Sequence, residues 1–439
     1  MVKIVLSMAS HNLGVLPTTH GSGKEIVMLT RYFEASYALR RFRGPTTARY
    51  IESFAKFLAE NSYAERTGRG YIRAAVQFAA WADSAAVPVA RLDEAAIAQF
   101  AAKRRRKAGA GLRRPGKFEL AYLPLFVQHL RSLGVVPSRP SETPKTPRLA
   151  ASFGSWVYKN RGVQLTTKDQ YEVTTALVIA KLGSNPAKYT PSKIRQYIKD
   201  WGQSHGIAST KFTISVVRSF LRYLIVEGRC RIGLDAAVPT VPCWRLTSLP
   251  RYIGAADVER VVIASNDESD RGARDHAVVL LIARLGLRAC EVARLQIGDI
   301  SWKTGTFTVR GKGRKNVVLP LPQDVGDAVA RYIQVRPQHA DSRVFLRSRA
   351  PFRPLGGAES VSGIVRAALR RAGMSHVRSQ GAHLLRHSVA TDLLRSGASL
   401  DGVRALLRHS SSETTAVYAK VDVNMLTSVA RPWPTTEVA

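Results

Sequence analysis

Acidic side chains are scarce in this chain. It has 32 Asp and Glu against 66 Lys and Arg in 439 residues, a formal charge of +34. A chain with that excess repels itself until a polyanion neutralises it. Nucleic acid is therefore the first partner to consider, ahead of ribosomal RNA in particular or an anionic membrane surface. Cysteine is nearly absent. Cys230, Cys243 and Cys290 share no short paired spacing, which argues against a zinc site or a disulfide framework, and Cys290 reads as a buried structural thiol. Long apolar runs are missing too: none reaches the ~18 residues of a spanning helix. The apolar text at Met1–Met8 gives way to His11, Asn12 and Gly14 too early for a secretory signal, so the expected compartment is the cytoplasm, with no membrane partner. There is no phosphate-cradling glycine loop and no convincing metal-ligand cluster, so neither a cofactor nor a metal is expected. Hydrophobic residues make up 45% of the chain, which fits an ordered globular protein. The length suggests two or three domains.

Residues 1–28 lack a clear period and read as a leader of uncertain order. Residues 29–136 read as a helical domain. Tyr50, Phe54, Phe57 and Leu58 line one helix face, and Tyr71, Ala75, Phe78 and Trp81 another. Leu92-Asp93-Glu94 is a capped helix start, and Leu125–Leu133 a last amphipathic helix ended by Gly134. Pro137, Pro140, Pro144 and Pro147 stiffen a polar linker over 137–149. A second helical block, 150–238, echoes the first. Tyr189–Tyr197 resembles Arg91–Phe100, and Phe220–Leu224 resembles Phe126–Leu130, as two copies of one module would. Pro239, Pro242 and Pro250 mark a second linker, 239–250. Beyond it, 251–439 forms a third domain with a C-terminal tail. There Asp257–Leu285 reads as helical. Phe307–Arg310 and Asn316–Leu319 read as a hairpin whose tip, Gly311–Lys315, carries three cations. The predicted class is mainly α, with a small hairpin making the last domain α+β.

Chemistry concentrates in that last third. Arg288 follows a helix end at Gly286-Leu287, with Glu291 one turn further on to hold its guanidinium, or to form no more than a surface ion pair. Lys312 sits between glycines at the hairpin tip, where a solvated charge is the duller reading. His383 and Arg386 share a helix face, while His387 is expected to point elsewhere. His409 precedes Ser410–Glu413, a capping-box helix start, and Tyr418 lies over a turn into that helix. Cations gathered around one weak hydroxyl nucleophile suit attack on a phosphodiester. Earlier in the chain, Lys103, Arg104, Arg105, Arg106, Lys107, Arg113, Arg114 and Lys117 occur with no acid among positions 103–117. Such a run is a solvated face or, in a chain this basic, a phosphate track that positions DNA without reading it.

The order and text of these pieces resemble the tyrosine recombinase (phage integrase) family over about residues 250–422. Gly286-Leu-Arg288-Ala-Cys-Glu291 is similar to that family's first arginine motif, Gly311-Lys312-Gly to its hairpin lysine, and His383-Leu-Leu-Arg386-His387 to its histidine–arginine box. His409 and Tyr418 match the closing histidine and the nucleophile. The block at 150–238 resembles the family's helical, SAM-like core-binding domain, and 29–136 is either a second copy of it or an extra arm-like domain. One position departs from the pattern. Arg408 stands where the family usually has glycine, and it would either distort that turn or add a phosphate contact.

The resemblance implies site-specific recombination of double-stranded DNA in integration, excision or transposition. Tyr418 would form a 3′-phosphotyrosine link, with strand exchange through a Holliday junction. Arg288 and Arg386 would clamp the phosphate, Lys312 would protonate the leaving 5′-oxygen, His383 and His409 would assist, and Glu291 would support Arg288. It also implies a homotetramer, or an assembly with related recombinases, on DNA. Relaxation by a type IB topoisomerase and a non-catalytic architectural role remain the competing readings.

Overall fold

The computed structural model describes residues 28–33, 48–108, 117–138, 146–242, 250–311, 316–377, 380–409, 412–420 and 427. The expected leader lies outside them except for Met28. The chain divides into two compact units, one formed by residues 1–138 and 251–410, the other by residues 139–250 and 411–439. The architecture is mainly helical with one small sheet.

In the first unit, α1 (Leu29–Tyr32), α2 (Ala48–Glu60), α3 (Glu65–Ser84), α4 (Glu94–Ala108) and α5 (Lys117–Ser132) enclose a core that includes Ile51, Phe54, Ile72, Phe78, Phe126 and Leu130. Asp93 caps α4, its Oδ1 accepting from the backbone N–H groups of Ala95 at 2.9 Å and Ala96 at 3.0 Å. Helix α5 starts at Lys117, well ahead of the Leu125 expected from the apolar pattern, and carries Pro124 inside it. The missing N–H removes one ladder bond, but Leu123 and Phe126 on either side are fully buried, and that burial offsets the loss.

The second unit contains α6 (Arg148–Arg161), α7 (Leu165–Leu182), α8 (Pro191–Ser204) and α9 (Ile207–Val226). Its aromatic core repeats the contacts of the first block. Phe54 stacks near Phe57 at 6.1 Å between centroids, and Phe153 near Trp156 at 6.4 Å. Phe54 meets Phe126 at 5.1 Å, and Phe153 meets Phe220 at 5.2 Å. Phe54 lies 5.5 Å from His129, and Phe153 lies 5.6 Å from Tyr223. Tyr71 and Tyr171 take the corresponding place on each second helix. In both blocks a short 3₁₀ turn, Val89–Arg91 or Pro186–Lys188, precedes the third helix of the set.

The rest of the first unit is built on α11 (Asp270–Leu285), which lies between α10 (Ala255–Ser265), α13 (Gln323–Val335), α14 (Ala358–Arg371) and α15 (Ala382–Arg395). Ala277–Ala283 is buried on every face, which is why its text is a continuous apolar run and not an amphipathic stripe. The sequence predicts one helical stretch from Asp257 to Leu285, but the structure breaks it at 266–269. There Asp267 Oδ1 accepts from Ser269 N and Ser269 Oγ accepts from Gly272 N, both at 3.0 Å, so local side chains cap a new helix. Strands β1 (Ile300–Ser301), β2 (Thr306–Arg310) and β3 (Asn316–Pro320) form an antiparallel sheet in that order, with Phe307 opposite Leu319 and Val309 opposite Val317. Phe307 and Val309 face the core. No helix among the described residues is long and apolar enough to cross a membrane.

Because Phe153 is fully buried against four aromatic rings, Phe153→Ala should destabilise its unit by ~3–5 kcal/mol. Urea denaturation followed by fluorescence measures the loss, and a change below ~1 kcal/mol would show that the ring cluster does not hold the block together.

Candidate active site

Helix α11 ends at Gly286 in the left-handed conformation, φ 56°, with its N–H donating to Ile282 O at 3.0 Å. A Cβ at Gly286 would stand 2.8 Å from Leu407 Cδ2, so both the backbone angle and the space call for glycine. Two residues on, Arg288 is the N-cap of the short helix α12 (Ala289–Arg294). Glu291, one turn into α12, reaches back. Its Oε2 accepts from the Arg288 backbone N–H at 2.9 Å, and its Oε1 accepts from Arg288 Nη1 at 2.8 Å. The Glu291 side chain is only 4% exposed and that of Arg288 34%, so a buried carboxylate grips a partly exposed guanidinium and the pair is not a simple surface ion pair.

The second guanidinium comes from α15. Arg386 is 3% exposed and donates through Nη1 to the carbonyl of Gly286 and through Nη2 to that of Leu407, the latter at 2.5 Å. Leu407 is the last residue of α16 (Leu400–Leu407), whose N-cap Ser399 accepts from Gly402 N at 3.1 Å. Arg408 follows in the left-handed region, φ 54° and ψ 47°. Its carbonyl accepts from Arg288 Nη2 at 3.2 Å. Consecutive carbonyls at 407 and 408 therefore hold the two guanidiniums, and His409 comes next in the chain.

The histidines complete the cluster. His383 is exposed, and its ring lies 5.7 Å from that of His387, one helical turn on. His387 thus neighbours His383 and does not point away from it. The i, i+4 spacing carried that signal. Burial, then His383 and Arg386, pull the His387 ring down to about 4. Burial, then Arg386, Arg288, His387 and Arg408, pull His409 down to about 4 as well. His383 is lowered by the protein packed around it and by Arg386 and Arg288. Burial first, and the neighbouring arginines after it, favour the neutral form of all three rings at neutral pH. Burial alone would raise the Glu291 carboxyl. Arg408 first, then the backbone and side chain of Arg288, reverse this and hold it below the usual carboxylate range.

Arg288, Glu291, His383, Arg386 and His409 therefore meet in one unit. Tyr418 lies in α17 (Ser412–Ala419), belongs to the other unit, and is 1% exposed. Lys312 lies outside the described residues, as do Arg113 and Arg114. Lys103 is exposed on α4. Arg104 hydrogen-bonds Gln77 and lies 5.5 Å over the Phe100 ring. Arg105, Arg106 and Lys107 also lie in α4, and Lys117 opens α5, but their side chains are outside the described residues. No group of three or more His, Cys, Asp or Glu residues among the described residues is arranged to hold a metal.

The family model for the phage integrase family matches residues 251–425, the stretch that carries this site. Across nearly the whole chain, the protein is similar to the putative integrase/recombinase y4rA of Sinorhizobium fredii, with 32% identity over 92% of this chain and 99% of that relative. It is also similar to tyrosine recombinase XerC of Thermodesulfovibrio yellowstonii, at 30% identity over 56% of this chain and 82% of that protein. Among solved structures, a lambda integrase dimer bound to a COC' core site matches 73% of this chain and 90% of its own, at 16% identity and a TM-score of 0.49. The chain belongs to the phage integrase family and is a tyrosine recombinase, an enzyme that breaks and rejoins DNA.

The depressed histidines have a consequence for stability. Between the unfolded value of ~6.5 and the folded value, the unfolded chain binds more protons than the folded one. Stability is fully present above that unfolded value and is lost as pH falls toward about 4. Thermal melts should therefore drop steadily below ~pH 6.5, and proton NMR should find no titration of His387 or His409 near that pH. A His409 signal titrating near ~6.5 would contradict the buried, cation-flanked ring.

Proposed function

We propose that this recombinase acts in the movement of a mobile element, by integration, excision or transposition, and that Tyr418 is its nucleophile. Site-specific recombination of DNA by cleavage and rejoining is the activity of the enzyme. The observation that carries the residue roles is the pair of guanidiniums, Arg288 and Arg386, tethered to adjacent carbonyls of one turn. Such tethering preorganises positive charge for a phosphate and removes the need to order two long side chains when DNA arrives.

In this mechanism Tyr418 Oη attacks phosphorus, a 3′-phosphotyrosine bond forms, and the bond to the 5′-oxygen breaks. Arg288 and Arg386 bind the non-bridging oxygens and offset the charge that grows in the transition state. Lys312, between β2 and β3, protonates the departing 5′-oxygen. His383, neutral at the working pH, takes the phenolic proton, and His409 donates a hydrogen bond to the phosphate. The covalent link keeps the energy of the broken bond, so a 5′-hydroxyl from a second duplex rejoins the strands by the reverse attack. Tyr418 is 1% exposed, so attack requires α17 to present the phenol to DNA.

The matching aromatic contacts of α2–α5 and α6–α9 support reading the two helical blocks as copies of one DNA-gripping module. The basic run from Lys103 on α4 would then track backbone phosphates outside the core site. Recombination pairs two duplexes. The proposed assembly is therefore a homotetramer on DNA, or a mixed assembly with related recombinases, in the cytoplasm.

Two outcomes test these roles. Tyr418→Phe should leave site binding within about twofold of the parent while abolishing the SDS-resistant DNA adduct, because only one oxygen is lost. An adduct from that variant would remove Tyr418 from the role. Lys312→Ala should slow cleavage of ordinary DNA by about 10²-fold or more and recover on a 5′-bridging phosphorothiolate, whose sulfur leaves without protonation. Equal defects on both substrates would exclude Lys312 as the acid.

A further inference from the structure

We propose that Arg408 is a positioning residue that holds the Arg288 guanidinium in the orientation that grips phosphate, an inference that rests on the recombinase reading of this site. The residue stands at an unfavourable place. Its backbone is left-handed, φ 54°, a conformation that glycine adopts without strain and a long side chain does not. Its side chain is only 8% exposed, and its buried Nε has no hydrogen-bond partner among the described residues. A cation placed merely to meet DNA would extend into solvent. This one folds inward instead, donating through Nη2 to Glu291 Oε2 at 2.9 Å and through Nη1 to Leu406 O at 2.8 Å.

The inward fold closes a ring of contacts around Arg288. Glu291 Oε1 holds Arg288 Nη1, and Glu291 Oε2 is shared between the Arg288 backbone N–H and Arg408 Nη2. The Arg408 carbonyl receives Arg288 Nη2 at 3.2 Å. Arg408 therefore touches the Arg288 system twice, through its own backbone and through the shared carboxylate. A buried carboxylate facing a single arginine would still lack compensation for part of its desolvation. Arg408 supplies the missing charge, which is consistent with its being the first influence to lower the Glu291 carboxyl. Glycine at this position would keep the turn and the carbonyl but would leave Glu291 with Arg288 alone. The carboxylate would then be free to shift, and the guanidinium with it. The role is distinct from the two readings open at the sequence level, a distorted turn or an added phosphate contact. The turn remains a regular helix end, with the Arg408 N–H donating to Ala405 O at 3.1 Å, and the guanidinium is committed to Glu291.

The test compares Arg408→Gly, Arg408→Lys and the parent in single-turnover cleavage of a suicide substrate. Each is run with an ordinary phosphodiester and with a methylphosphonate, in which one non-bridging oxygen is a methyl group. Parent cleavage of the ordinary substrate checks the recombinase reading separately. Arg408→Gly should still fold and bind DNA, with relief of backbone strain offsetting part of the charge compensation lost at Glu291. Its cleavage rate on the phosphodiester should nevertheless fall by about tenfold through misplacement of Arg288. The deficit should shrink on the methylphosphonate, where less negative charge needs the clamp, and Arg408→Lys should recover part of the rate. In spectra of isotope-labelled arginine, the Arg288 Nη signals should average in Arg408→Gly through faster guanidinium rotation. Parent-like rates with an unchanged Arg288 signal would overturn the proposal. So would a deficit of equal size on both substrates, which would mark Arg408 as structural only.

Discussion

Two left-handed turns govern the site. At Gly286 and at Arg408 a helix stops abruptly, and the stop leaves backbone carbonyls that no helix consumes. Those orphan acceptors at 286, 407 and 408 are what the two guanidiniums bind. Chain termination and side-chain orientation are thus one event. The same geometry that ends α11 and α16 satisfies donors of the partly exposed Arg288 and of the buried Arg386, which would otherwise be costly to place in a packed interior. Leu407 presses against Gly286, so the two turns also fix their own separation.

The electrostatic arrangement follows from that constraint. Arg288 and Arg408 share the Glu291 carboxylate, Arg386 is held at the neighbouring carbonyl of Leu407, and burial first, then these cations, disfavours the charged form of the nearby imidazoles. Neutral imidazoles can accept or donate a proton near a phosphate without adding to the repulsion among the arginines. The cluster is left short of negative charge, which suits the phosphodiester that the proposed mechanism brings to it. The chain as a whole, at +34, repeats that logic on a larger scale.

Much of the fold was legible because its signals are local. The hairpin at 306–310 and 316–320 follows from β-branched runs around glycines, and the cap at Asp93 from its place ahead of an apolar period. The stop at Gly286 was legible for the same reason. What was missed depended on competition between local and distant terms. The break at 266–269 is a capping event inside an otherwise helical text, and α5 runs through Pro124 because distant core contacts outweigh one missing bond. His387 is placed beside His383 by their i, i+4 spacing, not on another face as the histidine–arginine pairing alone suggests.

By itself the sequence determined the class of partner, through its charge, and the mainly helical class, through its periodicities. It also determined the family, through short motifs whose residues lie close together in the chain. Tertiary structure decided which of those residues share an environment. Arg386 meets Gly286 a hundred positions away, and Arg408 meets Glu291 across 117. The reason is physical. Periodicity and capping act within a few residues, whereas the direction of a buried guanidinium is set by whichever acceptors packing brings to it. The inward turn of Arg408 could not be read from its neighbours, because the carboxylate that draws it in lies on a different helix.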